Sequence, residues 1–263
     1  MWSQGITGSG IKVAVMDSGV DYNHPDLLGM KKGYNAIEPS EPIQDETGHG
    51  TLVAGVIVAK NNNIGVVGIA PDVELYPVKV LDKFNEGNID DIVKGIDWCI
   101  TNDIDIINMS FAINLNKPQL KKAIDKAINE GIIVVAAANN SSKGPVGYPA
   151  SYPNVFSVTS VNEKFQISEL APIGKIDYSA PGVSIISTSL NGSYQYYSGN
   201  SVAAPHITGF IALTLQTFKK AGIPQKDIKK ELDKALKKYS FDLGNVGRDN
   251  IYGEGFIRFI KSY

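Results

Sequence analysis

The chain has 263 residues, of which 43% are apolar, and this is enough for one large hydrophobic core. Its 25 lysines and arginines nearly balance its 27 aspartates and glutamates, so the charge does not indicate a nucleic-acid or anionic-membrane partner. The single cysteine, Cys99, excludes an internal disulfide and a cysteine metal cluster, and no apolar run approaches the roughly 18 residues that span a bilayer. We expect one monomeric domain over residues 1–263, with no signal peptide or propeptide in this sequence.

Short apolar segments alternate with helical patterns along the whole chain. In chain order, the sequence predicts strands at 11–16, 75–80, 104–109, 132–137 and 155–161, and helices at 49–58, 88–101, 117–130, 202–218 and 225–238. Strands that are apolar on both faces and are joined by helices are typical of a parallel sheet covered on both sides. The sequence therefore predicts an α/β fold with three layers, α/β/α, around a mainly parallel central sheet.

Polar residues follow several of these predicted strands. Asp17 follows the first strand, Ser110 the third and Asn140 the fourth. Because functional residues in such sheets collect just beyond the carboxyl ends of the strands, we expect these three residues at one edge of the sheet.

The segment from Tyr197 to His206 places a serine, Ser201, just ahead of a long apolar run. The run predicts a buried helix, with Pro205 in its first turn, where a missing N–H needs no partner. Ser201 then lies at a helix N-terminus, where backbone N–H groups and the helix dipole favour a developing negative charge. A serine in this position is a candidate nucleophile.

A nucleophilic serine needs a base and a group that orients the base. His49 lies between two glycines and opens a predicted helix, a position that packing alone does not favour, whereas His24 and His206 are interpreted as structural. A neutral imidazole is a suitable base near pH 7, and a carboxylate such as Asp17 can fix its tautomer. The side-chain amide of Asn140 can donate a hydrogen bond to an oxyanion.

Three motifs carry a family resemblance. The segments Asp17-Ser18-Gly19, Gly48-His49-Gly50-Thr51 and Gly199-Asn200-Ser201 occur in the order of the three active-site signatures of subtilisin-like serine proteases. The chain resembles the subtilase family, peptidase family S8, over nearly its whole length. The resemblance implies a subtilisin-like fold and serine endopeptidase activity.

The resemblance also implies roles for single residues. Asp17 would orient the base, His49 would act as general base and then general acid, and Ser201 would be the nucleophile. Asn140 and the Ser201 backbone N–H would donate to the oxyanion. The residue before the nucleophile is usually Thr in this family, whereas this chain has Asn200, so we expect altered activity rather than none.

Other residues match the family's substrate cleft. By resemblance, the side chain before the cut enters a pocket bounded by two backbone segments, and we expect cleavage after large apolar residues. The family usually has glycine at the positions of Ala112 and Asn139, and a Cβ there could narrow the pocket or disturb pairing with the substrate. The matching residues are Ser110, Phe111 and Ala112 on one wall, Ala138 and Asn139 on the other, Gly147 at the floor, and Ile89 beside a further apolar pocket.

A calcium site is also implied by the resemblance. The side chains of Asp26 and Asn62 match ligands of the family's tight site, and the carbonyls of Lys60, Ile64 and Val66 would add further oxygen ligands. Relatives have an N-terminal arm that donates another ligand, and this sequence begins after it. The alternative interpretation is a turn that is simply rich in Asn. No organic cofactor is implied.

Two other functions stay open at this point. One is a processing peptidase or peptide ligase with a narrow choice of partner peptide, and the other is a catalytically impaired pseudoprotease that binds a partner. The expected partners are a peptide or protein substrate, and a propeptide or protein inhibitor. The family resemblance slightly favours secretion, whereas a native start at Met1 would favour the cytoplasm.

Overall fold

The computed structural model describes residues 1–259. Within them, the strands form a nine-stranded central sheet and a separate two-stranded antiparallel hairpin. The strands are β1 Lys12–Asp17, β2 Tyr34–Asn35, β3 Glu74–Lys79, β4 Ile106–Met109, β5 Ile133–Ala137, β6 Phe156–Val161, β7 Tyr178–Pro181, β8 Ile185–Ser189, β9 Ser193–Tyr197, β10 Ser240–Phe241 and β11 Phe256–Ile257. The helices are α1 His49–Val58, α2 Ile89–Thr101, α3 Pro118–Asn129, α4 Asn200–Lys220 and α5 Gln225–Tyr239. The strand order of the central sheet is β10-β11-β7-β6-β5-β4-β1-β3-β2, and all its pairs are parallel except that of β10 with β11, while β8 and β9 form the separate hairpin.

Alternation along β1 explains the three layers. Val13 and Val15 belong to a core cluster that includes residues of α1, α4 and α5, whereas Ala14 and Met16 belong to a second cluster with residues of α2 and α3. Successive side chains of a strand point to opposite faces, so a continuously apolar strand supplies both cores. The predicted α/β/α fold with a mainly parallel sheet is confirmed.

All ten predicted elements are present, with bounds within two residues of the prediction. Several short elements were not predicted, among them β2, β7, the β8–β9 hairpin and the β10–β11 pair. Strand β9 has the sequence Ser-Tyr-Gln-Tyr-Tyr and is largely at the surface, so it lacks the apolar run that marks the buried strands. Among the described residues, no helix is long and apolar enough to cross a membrane.

One local prediction was wrong. Helix α4 begins at Asn200, so Pro205 is its sixth residue and lies inside the helix, not in its first turn. In a regular helix the N–H of residue 205 would donate to the carbonyl of Ser201, four residues earlier, and proline has no N–H to donate. The Ser201 carbonyl therefore needs a donor from elsewhere in the fold.

Candidate active site

The carboxyl edge of the sheet holds an aspartate–histidine pair. Asp17 ends β1 and is fully buried, and its Oδ1 lies 2.7 Å from Nδ1 of His49, the first residue of α1. The Ser18 N–H donates to the same oxygen at 2.8 Å. A Cβ on Gly50 would come within 2.0 Å of the Gly19 carbonyl oxygen, so glycine at position 50 permits this close approach of α1 to β1.

The imidazole of His49 is a quarter exposed and is held beside a buried carboxylate. Burial opposes its protonation, but the charge and hydrogen bond of Asp17 and the charge of Asp45 outweigh that effect, and the pKa of His49 lies above its ordinary value. The bond at Nδ1 leaves Nε2 as the atom that can exchange a proton with a substrate or a nucleophile.

Asp45 is a residue of the candidate site that the sequence analysis missed. It is almost fully buried, and its oxygens accept bonds from Ser18 Oγ at 2.9 Å, from the Gly48 N–H at 3.0 Å, and from the N–H and hydroxyl of Thr51 at 2.9 and 2.7 Å. Burial raises the pKa of Asp45, but the hydrogen bonds from Thr51, Thr47 and Gly48 outweigh burial and the pKa is lowered. Asp45 thus holds the first turn of α1 as an anion, and an acidic residue just ahead of a predicted helix was its signal in the sequence.

The structure places Ser201 second in α4, where it is partly exposed. Ser110, which follows β4, donates its hydroxyl to the Ser201 carbonyl at 2.9 Å, and β4 pairs with β1, the strand that ends in Asp17. The candidate nucleophile and the Asp17–His49 pair therefore lie at the same edge of adjacent strands. No hydrogen bond joins His49 to Ser201, and such bonds are often long before substrate binds.

The Ser110 hydroxyl donates to the Ser201 carbonyl in place of the N–H that Pro205 lacks. Ser110 in turn accepts from Asn108 Nδ2 at 3.0 Å, and Asn108 Oδ1 accepts from the Thr208 hydroxyl at 2.8 Å. The side chains of Ser110, Asn108 and Thr208 are buried. Their hydrogen bonds connect Thr208 in α4 to β4, and from β4 back to Ser201 at the start of α4. The hydroxyl of Ser110 therefore faces the nucleophile's backbone, while its main chain continues along the predicted wall.

Asn140 lies directly across from the start of α4. Its Oδ1 accepts from the Asn200 N–H at 3.0 Å, and a Cβ on Gly199 would lie 3.2 Å from Asn140 Nδ2 and 3.4 Å from Ser201 Oγ. The amide nitrogen and the serine oxygen thus approach one point, beside which a reacting carbonyl could place its oxygen.

The predicted pocket walls converge closely. A Cβ on Gly147 would lie 2.9 Å from the Ala112 Cβ and 3.4 Å from the Asn139 Cβ, and the Asn139 side chain reaches Asn114 Oδ1 at 3.1 Å. Ala138 is fully buried in the core cluster that faces α2 and α3, and Ile89 and Phe111 pack against this cluster. The Cβ atoms of Ala112 and Asn139 therefore lie beside Gly147, the residue predicted to form the floor of the pocket.

The predicted calcium residues also come together. Asp26 is fully buried, and its carboxylate accepts from Asn62 Nδ2 at 3.0 Å, the Val66 N–H at 3.1 Å and the Tyr194 hydroxyl at 2.9 Å. The Lys60 N–H donates to the Asp26 carbonyl at 2.9 Å, and the Ile64 N–H donates to Asn62 Oδ1 at 3.2 Å.

The predicted calcium ligands meet only part of what a hard cation requires. Within residues 1–259 no cationic side chain forms an ion pair with Asp26, and a buried carboxylate without a counter-charge is costly. The predicted ligands are oxygens, which calcium prefers, but here N–H and hydroxyl groups donate to the Asp26 carboxylate, and the described part of the chain has no cluster of three or more acidic, His or Cys ligands. Asn62 turns its amide nitrogen, not its oxygen, towards Asp26.

Comparison with known proteins identifies the family of this chain. The family model for Peptidase S8, the subtilase family, matches residues 8–255, and the chain belongs to this family. It is 48% identical over 220 residues to subtilisin E of Bacillus subtilis, a match that covers 81% of this chain and 57% of the relative. It is 40% identical over 260 residues to the minor extracellular protease Epr of the same species, covering 98% of this chain and 39% of the relative.

A third relative, subtilisin of Bacillus pumilus, is 48% identical over 220 residues, covering 81% of this chain and 79% of the relative. The chain thus spans about half the length of several curated relatives that it matches.

Proposed function

We propose that this chain is a serine endopeptidase whose catalytic residues are Asp17, His49, Ser201 and Asn140. The observation that carries the proposal is the 2.7 Å contact between His49 and buried Asp17, at the same sheet edge as a serine in the first turn of α4. Family membership supports the same chemistry. We also propose that residues 1–263 act as one monomeric peptidase domain.

The proposed reaction has two steps. His49 Nε2 takes the proton of Ser201 Oγ as this oxygen attacks the substrate carbonyl, and Asp17 stabilises the resulting imidazolium. Asn140 Nδ2 and the Ser201 N–H donate to the oxyanion, the proton passes to the leaving amine, and an acyl-enzyme forms on Ser201. Water that is deprotonated by His49 then releases the product.

The proposed substrate is an extended peptide or protein segment with a large apolar residue before the cut. Gly147 and the apolar residues Phe111 and Ile89 support this preference, while the Ala112 and Asn139 side chains reduce the space available. A propeptide or protein inhibitor would occupy the same cleft. A relative named as an extracellular protease supports secretion of this chain.

A fluorophosphonate probe, which reacts with activated serines, tests the proposed nucleophile. We expect covalent labelling at Ser201, located by peptide mapping, and no labelling of Ser201→Ala. Hydrolysis of casein and a peptide library would then define the preference. The matched control is Ser198→Ala, which removes a nearby serine that lies outside the proposed triad.

The outcomes separate the alternative functions. No labelling of a folded protein would contradict the peptidase and favour a pseudoprotease. Labelling with cleavage of only one matched peptide would favour a narrow processing peptidase or ligase. A profile dominated by charged residues before the cut would contradict the apolar preference.

We propose in addition that Asp26 and Asn62, with the carbonyls of Lys60, Ile64 and Val66, hold a structural calcium ion. The buried, cation-free carboxylate of Asp26 supports this proposal. When bound, calcium would supply the counter-charge and link two segments that are distant in sequence. It would take no part in the proposed proton transfers.

A further inference from the structure

Asn200 replaces the threonine that usually precedes the nucleophile, and its side chain is fully buried beneath the active site. Its Nδ2 donates to the main-chain carbonyl of Asn139, and its Oδ1 lies 3.5 Å from the hydroxyl of buried Thr159. Buried amide groups are normally hydrogen-bonded. The side chain is therefore turned into the protein and joins the start of α4 to the loop after β5.

The residue that Asn200 holds has an unusual backbone. Asn139 has a φ of 102°, in the region that favours glycine, and a residue with a Cβ is held there only by its surroundings. Its Oδ1 accepts from the Asn140 N–H at 2.8 Å, and its Nδ2 donates to Asn114. Because the Asn139 carbonyl belongs to the peptide bond that leads into Asn140, the Asn200 side chain restrains the peptide that carries the oxyanion donor.

The main chain of Asn200 sets the orientation of the Asn140 amide. A backbone N–H can only donate, so the 3.0 Å contact from the Asn200 N–H requires Oδ1, not Nδ2, to face α4. Nδ2 then points towards the space shared with Ser201 Oγ, and it donates to no residue among 1–259. One residue thus fixes both the position of Asn140 and the direction of its donor.

We propose that Asn200 is a positioning residue for the oxyanion donor and acts through Asn140 without touching the substrate. The side-chain bond to the Asn139 carbonyl compensates for the strained backbone at that position, and this keeps Asn140 Nδ2 aimed at the developing negative charge. The proposal rests on the proposed endopeptidase function.

The test is a double-mutant cycle on hydrolysis of a p-nitroanilide peptide with an apolar residue before the cut. Asn140→Ala should lower kcat by about 10²- to 10³-fold, as loss of an oxyanion donor does. Asn200→Ala should lower kcat at least about 10-fold with KM unchanged, because a small misplacement of a catalytic group is costly. In the Asn140→Ala background, Asn200→Ala should cause no further loss.

A second variant tests the strain argument. Glycine adopts positive φ without a Cβ clash, so glycine at position 139 would not need the hydrogen bond from Asn200 to hold its backbone. Asn139→Gly combined with Asn200→Ala should therefore recover most of the kcat that Asn200→Ala loses. The matched control is Asn35→Ala, another buried asparagine that bonds to backbone groups away from the site, and it should leave kcat unchanged.

The outcomes separate this proposal from the proposed function. Wild-type protein that neither hydrolyses peptide nor reacts at Ser201 would overturn both. An active wild type with full activity in Asn200→Ala would overturn only the positioning role. An equal kcat loss from Asn200→Ala with and without Asn140, or no recovery with glycine at position 139, would show a general structural effect and also overturn it.

Discussion

Two carboxylates, those of Asp17 and Asp45, act on His49 in different ways. Asp17 bonds to the imidazole at 2.7 Å, whereas Asp45 acts on it through charge and through the bonds that hold the start of α1. Both raise the pKa of His49, and burial opposes them without reversing the direction. The pKa of the proposed base therefore depends on a residue that acts on it through charge, without a hydrogen bond to its imidazole.

This arrangement predicts a pH dependence. The proposed mechanism needs neutral His49, so activity should be lost as pH falls through a pKa above the ordinary 6.5 of histidine. Asp45→Asn removes a negative charge that favours the imidazolium, and the acid limb of kcat/KM should move to lower pH. Asp97→Asn, an equal charge change on the surface of α2, is the control and should leave the limb unmoved. An Asp45→Asn profile that superimposes on wild type would contradict this account.

Helix α4 lacks one internal hydrogen bond, and a side chain from a neighbouring strand segment replaces it. Pro205 removes the N–H that would donate to Ser201, and Ser110 donates from the neighbouring β4 instead. The start of α4, which holds the proposed nucleophile, is thereby attached to the sheet and not only to its own next turn.

This replacement predicts that Pro205→Ala restores part of the stability that Ser110→Ala loses. Ser110→Ala leaves the Ser201 carbonyl without its donor and should lower the free energy of unfolding by about 1–3 kcal/mol in urea denaturation. Adding Pro205→Ala restores the helical N–H and should recover about half of that loss. Recovery stays partial because Asn108 Nδ2 still lacks its acceptor.

The control for this rescue is Pro205→Ala alone, which shows the effect of removing proline while Ser110 still donates. If Ser110→Ala costs the same free energy with and without Pro205, the compensation between the two residues is refuted.

At the scale of the whole molecule, Asp26 joins segments that are far apart in the chain. It bonds to the loop at Asn62 and Val66 and to Tyr194 of the β8–β9 hairpin, which lies 168 residues away. A cation bound there would stabilise the folded chain, because the unfolded chain does not assemble these oxygens.

Calcium should therefore raise the melting temperature relative to protein in EDTA. At a calcium concentration of 100 times the dissociation constant, the free energy of unfolding would rise by about 2.7 kcal/mol. Asp26→Asn should abolish the calcium dependence, whereas Asp97→Asn should retain it. Equal melting temperatures of the wild type in calcium and in EDTA would rule out a stabilising site here.

Much of the fold follows from local sequence patterns. The long strands are continuous apolar runs and the helices carry apolar faces, so their positions could be predicted to within two residues. The short surface elements could not be, since β9 has no apolar run and is defined by pairing with β8. Pro205 was placed wrongly because the start of α4 depends on contacts of Asn200 and Ser201 with other segments.

The sequence by itself determined the family resemblance, the layered fold and the candidate residues Asp17, His49 and Ser201, because motif order and hydrophobic periodicity are local properties of the chain. Only the tertiary structure decided what holds those residues. In the folded chain the side chain of Asp45 bonds to α1, that of Ser110 bonds to Ser201, and that of Asn200 bonds to the loop before Asn140. These bonds join partners up to 91 residues apart, and packing of the sheet against α1 and α4, not local spacing, brings them within reach.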